Sequence, residues 1–239
     1  METTPLILER MDLLANEWEQ QGDRRGFFLR CYALMTGNTL RAIDQGEFHD
    51  PQWVSKLLHL FAEYYFLALD AYEHGAAHTP AVWRLAFDAA ARQRTQVLQD
   101  LLLGINAHIN YDLVLTLVDL LEPEWAMLTP QQRQQRYQDH CHVNTVIAAT
   151  VDSVQDQVVT PDSRWLGVVD WALGPWDERT AARLLRRWRE EVWQQAMQML
   201  LCPDVDERAD LRRLLAAQST ARGEQILAYR VDRVLSDLL

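Results

Sequence analysis

Lysine, cysteine and glycine are scarce in this chain of 239 residues. Lys56 is the only lysine, and 23 basic residues face 34 acidic ones, for a formal net charge of −11. An acidic chain without a basic stripe is poorly suited to nucleic acid or to an anionic membrane surface, so we expect neither as a partner. A small-molecule ligand or substrate and a homodimer are the partners that this composition allows.

The few cysteines indicate the compartment. Cys31, Cys141 and Cys202 lie far apart and are odd in number, which argues against a disulfide framework and favours a reducing environment. The opening residues METTPLILER contain acids where a signal peptide has a basic segment, so we expect a cytoplasmic protein. With only 9 glycines, 8 prolines and 49% hydrophobic residues, collagen-like and disordered classes are excluded.

The spacing of the apolar residues predicts an all-α protein. These residues recur at intervals of three and four, no alternating run indicates a strand, and Thr-Pro or Asp-Pro pairs mark several helix starts. The predicted helices are 5–20, 24–36, 38–45, 51–74, 80–102, 105–121, 130–158, 163–173, 177–201 and 205–238. We interpret residues 1–239 as a single domain, a bundle of about 8–10 helices around a buried central helix, with the helix 205–238 packed on the rest.

The segment 101–121, LLLGINAHINYDLVLTLVDLL, is the predicted central helix. It is apolar on every side, which is typical of a helix buried all round. Its length would suffice to cross a membrane, but His108, Asp112 and Asp119 would be costly in a bilayer, so we expect no membrane span. Inside a protein, the same polar groups need partners.

His108 and Asp112 are four residues apart and therefore share one face of this helix. One interpretation is a core network in which Asp112 holds His108 and Arg189 neutralises the acid. The other is an active site in which His108 and Asp112 form an acid–base pair or bind a metal. Asp100 extends the same face and is a third candidate catalytic residue, while Gly104 would let a backbone or a ligand approach closely.

A second polar cluster lies in the segment RYQDHCHVNTV. Asp139 and His142 are three residues apart, and His140 is four residues before Asn144. Imidazole and carboxylate groups on one helical face can bind a metal, and two such helices could complete a site for Zn, Fe or Mn. The candidate metal ligands are His108, Asp112, Asp139, His142 and His140.

Polar residues near these clusters, and one acid in a distant helix, are candidate pocket residues. They are Asn106, Asn110, Tyr111, Asn144, Arg189 and Asp70. We expect Asp70 to be buried because apolar residues flank it. Trp83 is expected in the core, with a position on a pocket wall as the alternative.

Several segments resemble a bacterial family known only as a domain of unknown function, number 5995. They are FHDPQWVSKLLHLFAEYYFLALDAY, VWRLAFDAA, LLLGINAHINYDL, DHCHVN and REEVWQQA, between about residues 37 and 199. The positions that fit the family pattern are Asp100, Leu103, Gly104, Asn106, His108, Asn110, Asp112, Asp139, Asn144 and Arg189. The resemblance implies a helical fold and the location of a site, but no activity.

The segment GINAHINYDL is also similar in outline to a helix of the zinc-dependent phospholipase C and single-strand nuclease fold. His-xxx-Asp pairs bind metal in that fold, and His108 with Asp112 fits one such pair. The chain departs from it in having Met1 in place of the tryptophan ligand, and too few histidines for a cluster of three metals.

The residues are compatible with three functions. The first is a metal-dependent hydrolase, in which the metal lowers the pKa of a bound water and Asp100 or Asp70 acts as a support or general base. The second is a metal-free small-molecule-binding protein or enzyme that uses His108 polarised by Asp112. The third is a non-catalytic helical interaction protein whose polar residues fix the helix register.

Overall fold

The computed structural model is built from α-helices and contains no strand in the residues that it describes, 4–157 and 178–228. The helices are α1 (Thr4–Gln21), α2 (Arg25–Asp44), α3 (Pro51–Glu73), α4 (Ala81–Arg92), α5 (Val97–Ala107), α6 (Leu113–Leu121), α7 (Pro130–Gln157), α8 (Glu178–Leu201) and α9 (Val205–Ala228). The prediction of an all-α multi-helix bundle is confirmed.

One continuous helical segment, Val97–Leu121, runs through the centre of the fold. It consists of α5, a π-helical turn at His108–Asp112, and α6, and it contacts α2, α3, α4, α8 and α9. The segment is long and apolar enough to cross a membrane, yet 83% of its most apolar window is buried against the rest of the protein. This is the packing expected of a helix that is apolar all round.

The predicted helices 24–36 and 38–45 are a single helix, α2, that continues through Gly37. A single glycine inside a helix costs about 1 kcal/mol relative to alanine, which the packing of α2 on its neighbours outweighs. The predicted helix 163–173 and the last part of the predicted helix 205–238 lie outside the described residues.

The predicted helix 80–102 is wrong, because α4 ends at Arg92. Gln93 adopts the left-handed backbone conformation (φ +50°), which stops the helix, and Val97 begins the central segment. A left-handed residue other than glycine is uncommon, so apolar spacing alone did not reveal this break.

Candidate functional site

A cavity of about 120 Å³ lies between the central helix, α2, α3, α7 and α8. Its wall is mostly apolar, with contributions from Phe28, Leu57, Phe61, Ile109, Val143 and Ile147. An engineered apolar cavity of roughly 150 Å³ holds one benzene molecule, so this cavity is of the size that accepts a single small ring.

Five aromatic rings surround His108, and three of them (Phe28, Tyr32 and Phe61) line the cavity. The ring of Phe61 stacks on the imidazole with centroids 3.5 Å apart and planes at 7°, and Tyr32 meets it edge-on at 4.2 Å. The other three rings, with centroids 5.7 to 6.1 Å away, belong to Phe28, Tyr65 and Trp83. His108 is 3% exposed, and burial lowers its pKa well below the usual value, so the imidazole is neutral.

Asp112 fixes the orientation of His108, as the four-residue spacing predicts. Nδ1 of His108 lies 3.0 Å from Oδ2 of Asp112, and Nε1–H of Trp83 donates to the same oxygen at 2.9 Å. We assign Nδ1–H as the donor to Oδ2 of Asp112, with the proton of the uncharged acid on Oδ1, and this tautomer leaves a lone pair on Nε2. Burial raises the pKa of Asp112 well above its usual range, with the Trp83 hydrogen bond acting against it.

Nε2 of His108 is a polar atom on this wall that is buried without a hydrogen-bond partner among the described residues. The hydroxyl groups of Tyr32 and Thr36 lie on the same wall: burial, together with the nearby Asp112, raises the pKa of Tyr32 well above its usual value, while a hydrogen bond with Thr36 acts against the shift. Leaving a buried polar atom such as Nε2 unpaired costs about 1–3 kcal/mol, which is typical of a site that a ligand completes.

Gly104 brings Phe28 onto this wall. A Cβ atom at Gly104 would lie 2.5 Å from Cγ and 2.8 Å from Cβ of Phe28, which is closer than real side chains approach. The close approach that the sequence predicts at Gly104 is therefore made by an aromatic side chain from α2.

Arg189 reaches the cavity from α8. Its Nε donates to Oδ1 of Asn144 at 2.8 Å, and its Nη2 donates to the carbonyl oxygen of His140 at 2.8 Å. Nε2 of His140 lies 3.0 Å from the carbonyl oxygen of Arg189, so α7 and α8 are held together from both sides. Arg189 does not pair with Asp112, and this corrects the predicted neutralisation: burial favours the uncharged form of that acid, which needs no cation.

Asn106 and Asn110 are predicted pocket residues that attach α9 to the central helix instead. Nδ2 of Asn106 donates to the carbonyl oxygen of Ser219 at 2.9 Å, and Oγ of Ser219 donates to the carbonyl oxygen of Asn110 at 2.8 Å. Nδ2 of Asn110 also donates to Oδ1 of Asn106 at 3.1 Å. Neither asparagine belongs to the wall of the His108 cavity.

Three further candidates lie away from the cavity wall. Asp100 is buried in the first turn of α5, where it accepts a hydrogen bond from Thr95 and lies 3.5 Å from Nη1 of Arg24; burial raises its pKa. Tyr111 is half-buried, and burial followed by the nearby acid raises its pKa. Asp70 is exposed on α3, with 70% of its side-chain surface free, so the prediction of a buried Asp70 is wrong.

Asp139 and His142 have partners of their own on α7. The two carboxylate oxygens of Asp139 accept the backbone N–H groups of His49 and Asp50 at 2.8 and 2.9 Å, which fixes the loop before α3. Nε2 of His142 lies 2.8 Å from Oε2 of Glu47 near the surface. Both residues therefore have a structural role that needs no metal.

The predicted metal ligands do not converge. They were His108, Asp112, Asp139, His140 and His142. Within residues 4–157 and 178–228, no group of three or more His, Cys, Asp or Glu side chains lies close enough to hold an ion. Within the described residues, His108 and Asp112 are the pair of this set whose side chains share a hydrogen bond, and that bond joins them to each other.

The cavity residues on α2 and α3 were not among the residues predicted from the sequence. Tyr32, Thr36 and Phe61 recur at helical spacing among other apolar residues, as core residues do. The available signal was a pair of aromatic steps of four residues, Phe28 with Tyr32 and Phe61 with Tyr65, which place rings on one face of each helix.

These features define an all-α protein with a small aromatic cavity beside a buried His–Asp pair. The chain belongs to a family described as a family of unknown function (DUF5995), whose model matches residues 5–229. The predicted family is therefore confirmed, and the match is longer than the resemblance between residues 37 and 199. No curated protein and no solved structure matches the chain, so the similarity to the zinc-dependent phospholipase C fold gains no support.

Proposed function

We propose that this protein binds a small, mainly apolar molecule in the cavity, through a hydrogen bond to His108. The observation that supports the proposal is the buried Nε2 of His108, which lacks a hydrogen-bond partner among the described residues although its residue lines a cavity. Because the neutral imidazole presents a lone pair there, the matching ligand group is a hydrogen-bond donor such as a hydroxyl.

The rest of the wall favours an apolar ligand body. Phe61 and Leu57 offer apolar surface, and each Å² of apolar surface buried contributes roughly 25 cal/mol to binding before the costs of association. The half-buried wall residues Cys31, Met35 and Leu185 mark the side of the cavity that is nearest to solvent, so a ligand would enter between α2 and α8.

Phenol and benzene test this proposal, because they differ by one hydroxyl group. Calorimetry or ligand-observed NMR on the full chain should show phenol binding about tenfold more tightly than benzene, the equivalent of one net hydrogen bond. His108→Leu replaces the imidazole with an apolar side chain of similar size, so this variant should bind phenol and benzene equally. Tyr65→Phe is the matched control: it removes a buried hydroxyl outside the cavity wall and should keep the preference for phenol.

The outcomes separate the alternatives once urea unfolding shows that His108→Leu is folded. A phenol preference that persists in His108→Leu would mean that another group accepts the hydroxyl. Failure of both molecules to bind the wild-type chain would refute the proposal and favour the non-catalytic interaction protein.

Acid–base catalysis by His108 is a second candidate function, because Asp112 holds Nδ1 and Nε2 of this cavity-lining residue has no hydrogen-bond partner among the described residues. A base forms a stronger hydrogen bond to a more acidic donor. If His108 acts as a base, a series of fluorinated phenols should bind more tightly as the phenol becomes more acidic. Affinity that is independent of acidity would leave a binding site without a functional base.

The metal-dependent hydrolase makes a different prediction. Plasma mass spectrometry of the untagged protein would show stoichiometric Zn, Fe or Mn that falls in His108→Ala. The separation of the candidate ligands in the described part of the chain favours the metal-free alternative. Metal that depends on His108 would reverse this preference.

A further inference from the structure

Arg189 is a buried cation without an acidic partner in the described part of the chain. It is 3% exposed, and its hydrogen bonds go to the amide oxygen of Asn144 and to the backbone carbonyl and Nδ1 of His140. Its Nη1 forms no hydrogen bond to a described residue, and no described carboxylate lies within ion-pair distance of the guanidinium. Both partners are neutral groups, so the positive charge is not compensated.

The other buried arginine in the described residues shows how this fold compensates such a charge. Arg136 is 8% exposed, and its guanidinium contacts Asp50 at 2.7 Å and Glu124 at 2.9 Å. An arginine buried without an acid is costly, because charge is removed from water and the loss is not repaid. Arg189 is therefore the exception that needs an explanation.

Neighbouring groups do not remove the charge of Arg189. Burial lowers its pKa to about 10, which leaves the guanidinium charged at neutral pH. The adjacent His140 is neutral, because burial and the charge of Arg189 lower its pKa well below the usual value. A buried, permanently charged fork of N–H donors is the group that proteins use to bind carboxylates.

We infer that the ligand of this cavity is a small carboxylate, with its anionic group at Arg189 and its apolar body against the rings around His108. Arg189 and His108 line the same cavity, and the wall between them is apolar. The lone pair on Nε2 of His108 would repel a carboxylate, so the anion belongs at the Arg189 end, and any hydroxyl of the ligand at the His108 end. This inference rests on the proposed function, since it concerns the same cavity.

Benzoate and benzamide test the inference, because they have nearly the same shape and differ in charge. On the full wild-type chain at neutral pH, benzoate should bind about tenfold more tightly than benzamide, because both accept hydrogen bonds from the guanidinium but only the carboxylate compensates its charge. Arg189→Met retains the length of the side chain and removes the charge, and it should abolish this preference. Arg189→Lys retains the charge without the fork and should keep part of it.

Phenol binding is measured on the same variants and separates this inference from the proposed function. Phenol should still bind the Arg189→Met protein and be preferred to benzene, which shows that the variant is folded and that its His108 end is intact. If phenol binds but benzoate is no better than benzamide, the inference is overturned and the proposed function stands. If benzoate is preferred equally by Arg189→Met, another group holds the anion and the inference is wrong. If neither phenol nor benzoate binds the wild-type chain, both proposals are wrong.

Discussion

Replacing Gly104 by alanine tests the packing that forms the cavity wall. The new Cβ would lie 2.5, 2.6 and 2.8 Å from three atoms of Phe28, including the Cβ of that residue, which cannot swing away as a flexible side-chain end could. The Phe28 ring is itself packed against other rings, so it cannot move alone. These rings belong to Tyr32, Tyr65, Trp83 and His108, at centroid distances of 5.6 to 5.9 Å.

The expected magnitude follows from two opposing effects. Alanine is favoured over glycine inside a helix by about 1 kcal/mol, and overpacking a core costs about 1–3 kcal/mol. The contact distances put the overpacking cost of Gly104→Ala in the upper part of its range. After the gain in helix propensity is subtracted, we expect the free energy of unfolding to fall by about 1–2 kcal/mol. Gly104→Ala should also weaken phenol binding, because Phe28 forms part of the cavity wall.

Urea unfolding of Gly104→Ala beside Gly37→Ala measures this effect. A Cβ at Gly37 would meet only Cδ2 of Leu8 at 3.5 Å, an ordinary contact, so Gly37→Ala should stabilise the protein by about 0.5–1 kcal/mol. Adding Phe28→Leu to Gly104→Ala should recover part of the loss through the coupling of the two sites. If Gly104→Ala is as stabilising as Gly37→Ala, the close packing of Phe28 on the central helix is refuted.

Three further predictions concern groups on and around this wall. Tyr65→Phe removes a buried hydroxyl that lacks a partner among the described residues, so it should raise the free energy of unfolding in urea by about 1 kcal/mol; a loss would show that the hydroxyl is bonded. Asp112→Asn keeps an oxygen for both hydrogen bonds that end on Oδ2 and removes the cost of protonating a buried acid on folding, so it should raise the free energy of unfolding at neutral pH; a loss of about 3 kcal/mol would indicate a charged pair with His108. Because burial lowers the pKa values of His108 and His140, the unfolded chain binds protons there that the folded protein does not, and stability should fall as the pH drops below about 6.5, by up to about 1.4 kcal/mol per pH unit for each histidine. The raised pKa of Asp112 acts in the opposite sense, because the folded protein binds a proton there that the unfolded chain does not, and this stabilises the fold as the pH drops. Asp112→Asn should therefore make stability fall more steeply with decreasing pH. An unchanged pH dependence would contradict the raised pKa of Asp112.

Local patterns in the sequence predicted what depends on local geometry. The apolar character of 101–121 predicted a helix buried all round, and the spacing of His108 and Asp112 predicted their contact. Both follow from helical periodicity, which places residues four apart on one face. Helical periodicity could not predict the contact between Asn144 and Arg189, because they lie on different helices. The family resemblance named both residues but not their hydrogen bond.

Partners that are distant in sequence could not be predicted in this way. Asp139 shares helix α7 with the predicted metal ligands, but its carboxylate is used by backbone N–H groups nearly ninety residues earlier. Asp70 has apolar neighbours in sequence and still faces outward, because neighbours in a helix point in different directions. The cavity itself arises where α2, α3, α7 and α8 meet the central helix, and no single segment contains it.

The state of Nε2 of His108 is the most direct test of the central claim, that the cavity is a binding site built on this atom. Nitrogen NMR of protein labelled at histidine, with His108→Leu used to assign the signal, distinguishes a bare ring nitrogen from a protonated or hydrogen-bonded one. The account predicts a bare Nε2 in the free protein that becomes hydrogen-bonded when phenol is added, while Nδ1 remains a donor to Asp112. A protonated Nε2 in the free protein, or a signal that saturating phenol leaves unchanged, would contradict it.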